Sequence, residues 1–178
     1  MTEYRRLQHP GATWFFTVNL AERRGNRLLT DHIDGLRTAF SHVKRKHLFK
    51  IDAVDHIAGS FTLHLDPTGG RLRFFHALGT CQGAFFPTDC QRREDFEKSN
   101  RPRRTRFLWQ RRFWEHLIRD ETDYRQHMDY IHWDPVKHGW VRCVKEWPHS
   151  SFHRYVIAGV YAENWGNGVD LSDRVARE

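Results

Sequence analysis

Two stretches of this chain keep the periodicity of regular secondary structure, and the stretch between them keeps none. Thr13-Trp-Phe-Phe-Thr-Val-Asn-Leu20 is dense in aromatic and β-branched residues and follows Pro10-Gly11, so it predicts a buried strand. Ile33, Leu36, Phe40 and Val43 then recur at helical spacing, with Asp31 placed to cap that helix and Arg37, Lys44 and Arg45 on its other surface. Phe49-Lys-Ile-Asp-Ala-Val54 alternates apolar and polar, as a second strand does. From about Asp55 to Phe107 no period is sustained. Gly-rich Pro67-Thr-Gly-Gly70 mixes there with Phe74-Phe-His76 and the arginines between Arg101 and Arg106. Order returns at Leu108. Trp109 to His116 predicts a strand, and Asp120 or Thr122 opens a helix striped by Tyr124, Met128 and Ile131 and ended by Pro135. Gly139–Val144 could form a short apolar segment, and Trp147–Tyr155 and Val160–Gly166 read as a packed C-terminal tail.

At 178 residues the chain suits one domain with a real core. A net charge of +7 and a pI near 9.7 favour a polyanionic partner, most simply nucleic acid. The seven tryptophans could stack on unpaired bases, although most such residues serve the core. Cys81, Cys90 and Cys143 have neither zinc spacing nor an even count, which fits a reducing cytoplasm. Met1–Arg6 has no apolar run of the signal-peptide kind, and no run is long enough to cross a bilayer, so no membrane partner is expected.

Long, rare words carry a further resemblance. They are Tyr4-Arg-Arg6, Trp14-Phe-Phe-Thr-Val18, Leu28-Leu-Thr-Asp31 and Ile51-Asp-Ala-Val54, then Trp109-Gln-Arg-Arg-Phe-Trp-Glu-His116, Tyr130-Ile-His132, Asp134-Pro135, Val136-Lys-His-Gly139 and Ser150-Ser-Phe-His-Arg154. In these the chain resembles the REP-associated tyrosine transposases, members of the HUH superfamily of single-tyrosine nucleases that cut and rejoin single-stranded DNA. The resemblance covers Glu3–Val54 and Leu108–Gly166.

Between those blocks the family pattern requires a strand ending in Pro-Asp-His-Leu-His, and this chain has His56-Ile-Ala-Gly-Ser-Phe-Thr-Leu-His-Leu-Asp-Pro67. A permitted synonymous coding of that stretch, read one nucleotide later, spells Ile-Leu-Pro-Asp-His-Leu-His-Cys-Ile-Trp-Thr-Leu. The same shift carries through Arg106 and ends in Arg-Gly-Glu-Arg-Gly just before Leu108. Asp55–Phe107 therefore reads as translated out of frame between two compensating indels, with a divergent insertion as the alternative. The motif histidines should fall near Ser60/Phe61 and Thr62/Leu63, and neither pair offers an imidazole. His56 and His64 read as by-products of the shift, with metal ligation as the alternative.

The chemistry implied is in-line attack by a tyrosine oxygen on a phosphodiester, leaving a phosphotyrosine and a free 3′-hydroxyl. A phenol with a pKa of about 10 needs help for this. In the family a Mg2+ or Mn2+ ion on the two histidines and a third ligand supplies it. Strand alternation aims both histidines at the site and the residue between them at the core. Tyr130 is the implied nucleophile, with Gln126 or His127 and Asp134 on its helix face. Asp134 stands where the family usually has Asn and is a candidate metal ligand. Arg111, Arg112, Lys137, His138 and Arg154 are candidate DNA contacts, since phosphates demand cations. His116 and His132 read as polar surface or DNA-contacting residues, and Arg101–Arg106 is discounted as an accident of frame.

The fold implied is α+β: a ferredoxin-like antiparallel sheet with helices packed on it, its central motif strand disrupted. One transposase domain is expected over 1–166, with 55–107 out of frame and a tail at 167–178. The expected partner is single-stranded or hairpin DNA of the REP-palindrome type, met in the cytoplasm near the nucleoid by a monomer or homodimer. Cleavage should be impaired, which leaves a catalytically dead hairpin-binding protein or a pseudogene product as alternatives.

Overall fold

The computed structural model describes residues 12–22, 26–46, 49–57, 60–66, 109–110 and 112–168. Four strands form one antiparallel sheet: β1 (Trp14–Asn19), β2 (Lys50–Ile57), β3 (Ser60–Asp66) and β4 (Trp114–Leu117), in the order β2-β3-β1-β4. This is the ferredoxin-like order expected of the α+β fold. Trp14-Phe-Phe-Thr-Val18 is buried throughout because β1 lies inside the sheet and is covered on both faces.

The expected loss of a central strand does not hold. Ser60–Asp66 pairs with β1 from Trp14↔Leu65 to Asn19↔Ser60, and with β2 from Lys50↔Asp66 to Ile57↔Ser60. The physical reason is local. Whatever its frame, Ser-Phe-Thr-Leu alternates polar and apolar residues, and that alternation suffices for a half-buried strand. Phe61 and Leu63 enter one core, leaving Ser60 and Thr62 for the opposite face.

On that first face lie α1 (Leu28–Asp31) and α2 (Ile33–Lys46). Leu36, Ala39, Phe40 and Val43 meet Trp14, Phe16, Val18, Phe61, Leu63 and Trp109 there. Asp31 closes the short turn of α1 and pairs with Arg27 at 3.6 Å, so it does not cap α2. The predicted strand at Trp109–His116 is shorter. Trp109 makes a single bridge to Leu20, and regular pairing begins at Trp114.

On the other face runs α3 (Glu121–Lys137), capped by Asp120, whose carboxylate accepts from the Asp123 N–H at 2.9 Å. Pro135 sits inside its last turn rather than ending it. The stop is Gly139 at φ 71°, where Trp140 N–H bonds Pro135 C=O and Gly139 N–H bonds Val136 C=O, both at 2.9 Å. The apolar stripe also widens. Residues 130–135 are all buried, because α3 lies between Phe15 and Ala53 of the sheet and Val144, Phe152, Tyr155 and Tyr161 of the C-terminal segment. That segment includes a 3-10 turn at Val144–Glu146 and α4 (Phe152–Ile157).

The C-terminal segment also covers the outer edge of β2. Ser151 N–H bonds Val54 C=O at 2.8 Å, His56 N–H bonds His149 C=O at 3.1 Å, and Trp147 Nε1 donates to His56 C=O at 3.2 Å. An edge satisfied in this way is closed to pairing with a second chain.

His132 is a core residue, not a surface one. It is fully buried among Phe152, Tyr155 and Tyr161, with Nε2 3.0 Å from the Ser151 hydroxyl. Burial, and then the nearby Arg154 charge, lower its pKa to about 3. Burial also lowers His56 to about 3, helped by Arg37 and His149. Both pKa values are depressed, so each contributes stability that is present above the ordinary value of 6.5 and lost as pH falls toward 3. Together they cost about 2.7 kcal/mol per pH unit at most within that window. The raised pKa of buried Asp55 opposes them in the same window. Urea midpoints between pH 6.5 and 4.5 should therefore fall by less than the two histidines alone would give, and His132→Phe should reduce that slope by up to about 1.4 kcal/mol per pH unit. An unchanged pH slope in that variant would remove His132 from the account.

Candidate functional site

The sheet face opposite α1 and α2 and the C-terminal half of α3 enclose a pocket. Thr17 and Asn19 of β1, Ser60 and Thr62 of β3, Trp114 of β4, and Tyr130, Asp134 and His138 line it. Its empty volume is about 450 Å³, counting the open mouth. Period two brings alternate residues of each strand to this face, and helical spacing brings Tyr130, Asp134 and His138 to one side of α3. Asn19 of β1, Ser60 of β3 and the α3 pair Tyr130 and Asp134 thereby meet from three separate elements.

Tyr130 is 2% exposed and packs its ring edge-on against Phe15, with centroids 5.7 Å apart. Lys137, one further turn pair along α3, donates from Nζ to the Tyr130 hydroxyl at 3.1 Å and lies 4.5 Å from the ring centroid. Asp134 is buried, and His138 Nε2 stands 3.4 Å from its Oδ1. Of the two neighbours expected one turn before Tyr130, Gln126 is exposed, and His127 turns toward β4 instead.

The predicted DNA contacts divide. His138 lines the pocket and Lys137 touches Tyr130, while Arg112 is exposed. Arg154 serves a different end of the sheet: its guanidinium bonds the Asp52 carbonyl beside Tyr155 Oη, pinning α4 to β2 far from Ser60. Arg111, Arg101–Arg106 and the tail from 169 lie outside the described residues. Among the described residues no helix is long and apolar enough to cross a membrane.

Sequence reasoning placed the motif positions at Ser60/Phe61 and Thr62/Leu63. The register resolves each pair in favour of the hydroxyl: Ser60 and Thr62 face Tyr130, while Phe61 and Leu63 are core. Counted from His56, the histidines of the shifted frame fall on these same two positions. The donor set present does not fit the ion that two imidazoles hold. It offers hydroxyls, one amide, one carboxylate and a half-exposed His138 in place of paired ring nitrogens.

A second group escaped the sequence reading. His116 of β4, with Asp123 and His127 of α3, places three donor atoms within 4.8 Å and could hold a metal. The seven-residue gap and the strand-to-helix turn between His116 and Asp123 hid it, since no single period links them. Asp123 is already engaged, by His116 Nε2 at 2.8 Å, His127 Nδ1 at 3.0 Å and Arg119 N–H at 2.9 Å. Burial works to raise the Asp123 carboxyl. The His116 and Arg119 hydrogen bonds and the two histidine charges outweigh it and hold the carboxyl below its ordinary value.

Buried polar groups at the start of the aperiodic stretch were also missed. Asp55 and His56 are 1% and 6% exposed. Neither Asp55 oxygen nor His56 Nδ1 has a hydrogen-bond partner of good geometry. Burial, then the Asp134 charge, raise the Asp55 carboxyl well above its ordinary value, although Ser150, the His56 backbone and Trp147 lie close enough to pull the other way.

A four-strand antiparallel sheet with helices on both faces places the chain in the ferredoxin-like α+β class, and its relatives give the family. A REP-associated tyrosine transposase of Haemophilus influenzae is 40% identical over 175 residues, 96% of this chain and 97% of that one. One of Escherichia coli is 40% identical over 189 residues, covering 100% and 98%. The solved structure of a REP-associated tyrosine transposase bound to a REP hairpin aligns with a TM-score of 0.76 at 39% identity, covering 100% of this chain and 99% of that one. The chain matches no protein-family model. It belongs to the REP-associated tyrosine transposases.

Proposed function

We propose that this chain recognises REP-type DNA hairpins and presents Tyr130 as the strand-attacking residue, in a pocket that lacks the imidazole pair of its family. The observation that carries this is the position of Ser60 and Thr62 on the wall facing Tyr130 and Asp134. A tyrosine oxygen can attack phosphorus only if its phenol proton leaves and the charge growing on the phosphate is met. Lys137 supplies one cation at that oxygen, and His138 a second polar group beside Asp134. The metal's contribution has no paired nitrogens to rest on, so the chain binds and does not cut at a useful rate.

Band-shift titrations on a REP-type hairpin and on a scrambled strand, followed by nicking assays with Mn2+, test this. Hairpin-selective binding without nicking is expected, with binding unchanged in Tyr130→Phe. Manganese-dependent nicking by the unaltered chain, or equal affinity for both DNAs, would contradict it. Lys137→Met should weaken binding to both DNAs alike and lower the log–log salt slope by about 1. An unchanged slope would take Lys137 off the phosphate.

The missing pair is best explained by translation of 55–107 out of frame. One observation favours this over a divergent insertion: the shifted histidines land on the two strand positions that face Tyr130. Resequencing the gene from codon 50 to codon 110 decides whether the indels are real. If they are, the chain is a decayed transposase that keeps hairpin binding. We place its single domain at 1–166, with a tail at 167–178, acting near the nucleoid in the cytoplasm as a monomer or homodimer.

A further inference from the structure

We propose that Trp140 is a stacking platform for an unpaired DNA base beside the tyrosine pocket. It is the one exposed tryptophan of the seven, with 43% of its surface open to solvent, while the other six are buried or half-buried. Its place in the chain ties it to the pocket, since it follows the lining residue His138 by two positions. Its backbone is fixed. Gly139 turns the chain at φ 71°, and the Trp140 N–H bonds the Pro135 carbonyl at 2.9 Å. The buried ring of Trp147 backs the indole, with centroids 6.1 Å apart. Trp147 is itself held, by Nε1 on the His56 carbonyl at 3.2 Å and by an edge-on contact with His149 at 5.2 Å. A ring supported in this way loses little freedom when a base covers it. The neighbours choose the occupant. Lys137 and Arg142 are exposed on either side in sequence, and the acid that follows, Glu146, accepts from the Arg142 and Cys143 N–H groups at 3.1 and 3.3 Å. Cations for phosphates around an open aromatic face suit a single strand of nucleic acid, because every base has a π-face to offer. An apolar protein partner would find charge around the indole instead.

This rests on the proposed hairpin binding, the base belonging to the unpaired strand that leads to Tyr130. Fluorescence anisotropy with three DNAs tests it: a REP-type hairpin with thymine flanks, the same hairpin without flanks, and a plain thymine strand. The unaltered chain should bind the flanked hairpin more tightly than the blunt one. Trp140→Ala should weaken binding of the flanked hairpin and of the thymine strand about tenfold, as loss of one base stack does, and leave the blunt hairpin unchanged. Trp140→Phe should keep most of the affinity. Abasic flanks should make the unaltered chain behave like Trp140→Ala. Equal loss on all three DNAs, no loss on any, or full affinity for abasic flanks would overturn the assignment. The thymine strand keeps the two readings apart. Its tenfold loss stands even where hairpin selectivity fails, and its absence with hairpin selectivity intact rejects the platform alone.

Discussion

Ser60→His with Thr62→His in one chain should restore Mn2+-dependent nicking of a REP-type hairpin, raising the rate by roughly a thousandfold over the unaltered protein. Both positions face Tyr130 from β3, and the residue between them, Phe61, stays in the core opposite. The exchange therefore alters the site without moving the strand. Both hydroxyls line a pocket that opens to solvent, so each added ring is directed into that pocket and not into the core. The size of the effect follows from what a Lewis acid contributes to phosphoryl chemistry. Several kcal/mol of charge stabilisation, at about 1.4 kcal/mol per decade of rate, give about three decades. Tyr130→Phe in the repaired chain should abolish the gain, because the attacking oxygen is gone. Ion affinity should respond in the same direction, with Zn2+ and Mn2+ tightening far more than Mg2+ once imidazoles are present. Repaired protein that folds, takes up Mn2+ and still leaves hairpins intact would mean that the His pair is not what separates this chain from an active one.

What could be read from the residues, and what could not, follows from how far each signal reaches. β1, α2 and the start of α3 were legible because their information is local: Trp14–Val18 cannot be anything but buried, and Asp120 can cap only the turn that follows it. Tyr130 and Asp134 were legible together because four residues on a helix is a fixed distance. The strand at Ser60–Asp66 was read as lost because the family word was missing. The backbone needs only Phe61 and Leu63 to alternate with polar neighbours, and it folds regardless of what the hydroxyls do. His132 was misread for the opposite reason. It looked polar and therefore superficial, and it is buried beside a partner that no period could reveal, the Ser151 hydroxyl. The His116–Asp123–His127 group likewise exists only once β4 is laid against α3.

Asp55→Val should stabilise the folded chain by about 2 kcal/mol at neutral pH, within the range of about 1–3 kcal/mol that an unsatisfied buried polar group costs. For a chain of this length that is a rise in melting temperature of about 4–8 °C. The position pairs with Thr62 across β3 and makes a bridge to Ser150, so a β-branched side chain suits its backbone. The substitution removes a carboxyl that burial and the Asp134 charge push well above its ordinary pKa of 3.8. A raised pKa means that the folded state holds a proton which the unfolded chain has already released. The stability linked to Asp55 is fully present below pH 3.8 and is lost as pH rises toward the folded pKa. The gain from valine should accordingly be small at pH 4 and full at pH 7, measured as the difference in urea midpoints. His56 and His132 titrate in both chains and cancel from that difference. A gain that is equal at the two pH values would show that valine acts through packing alone. A loss at pH 7 would show that the Asp55 carboxyl has a partner worth keeping, Ser150 or Trp147 being the nearest candidates. The experiment thus separates a sequence selected for this fold from one that the flanking strands merely hold in place.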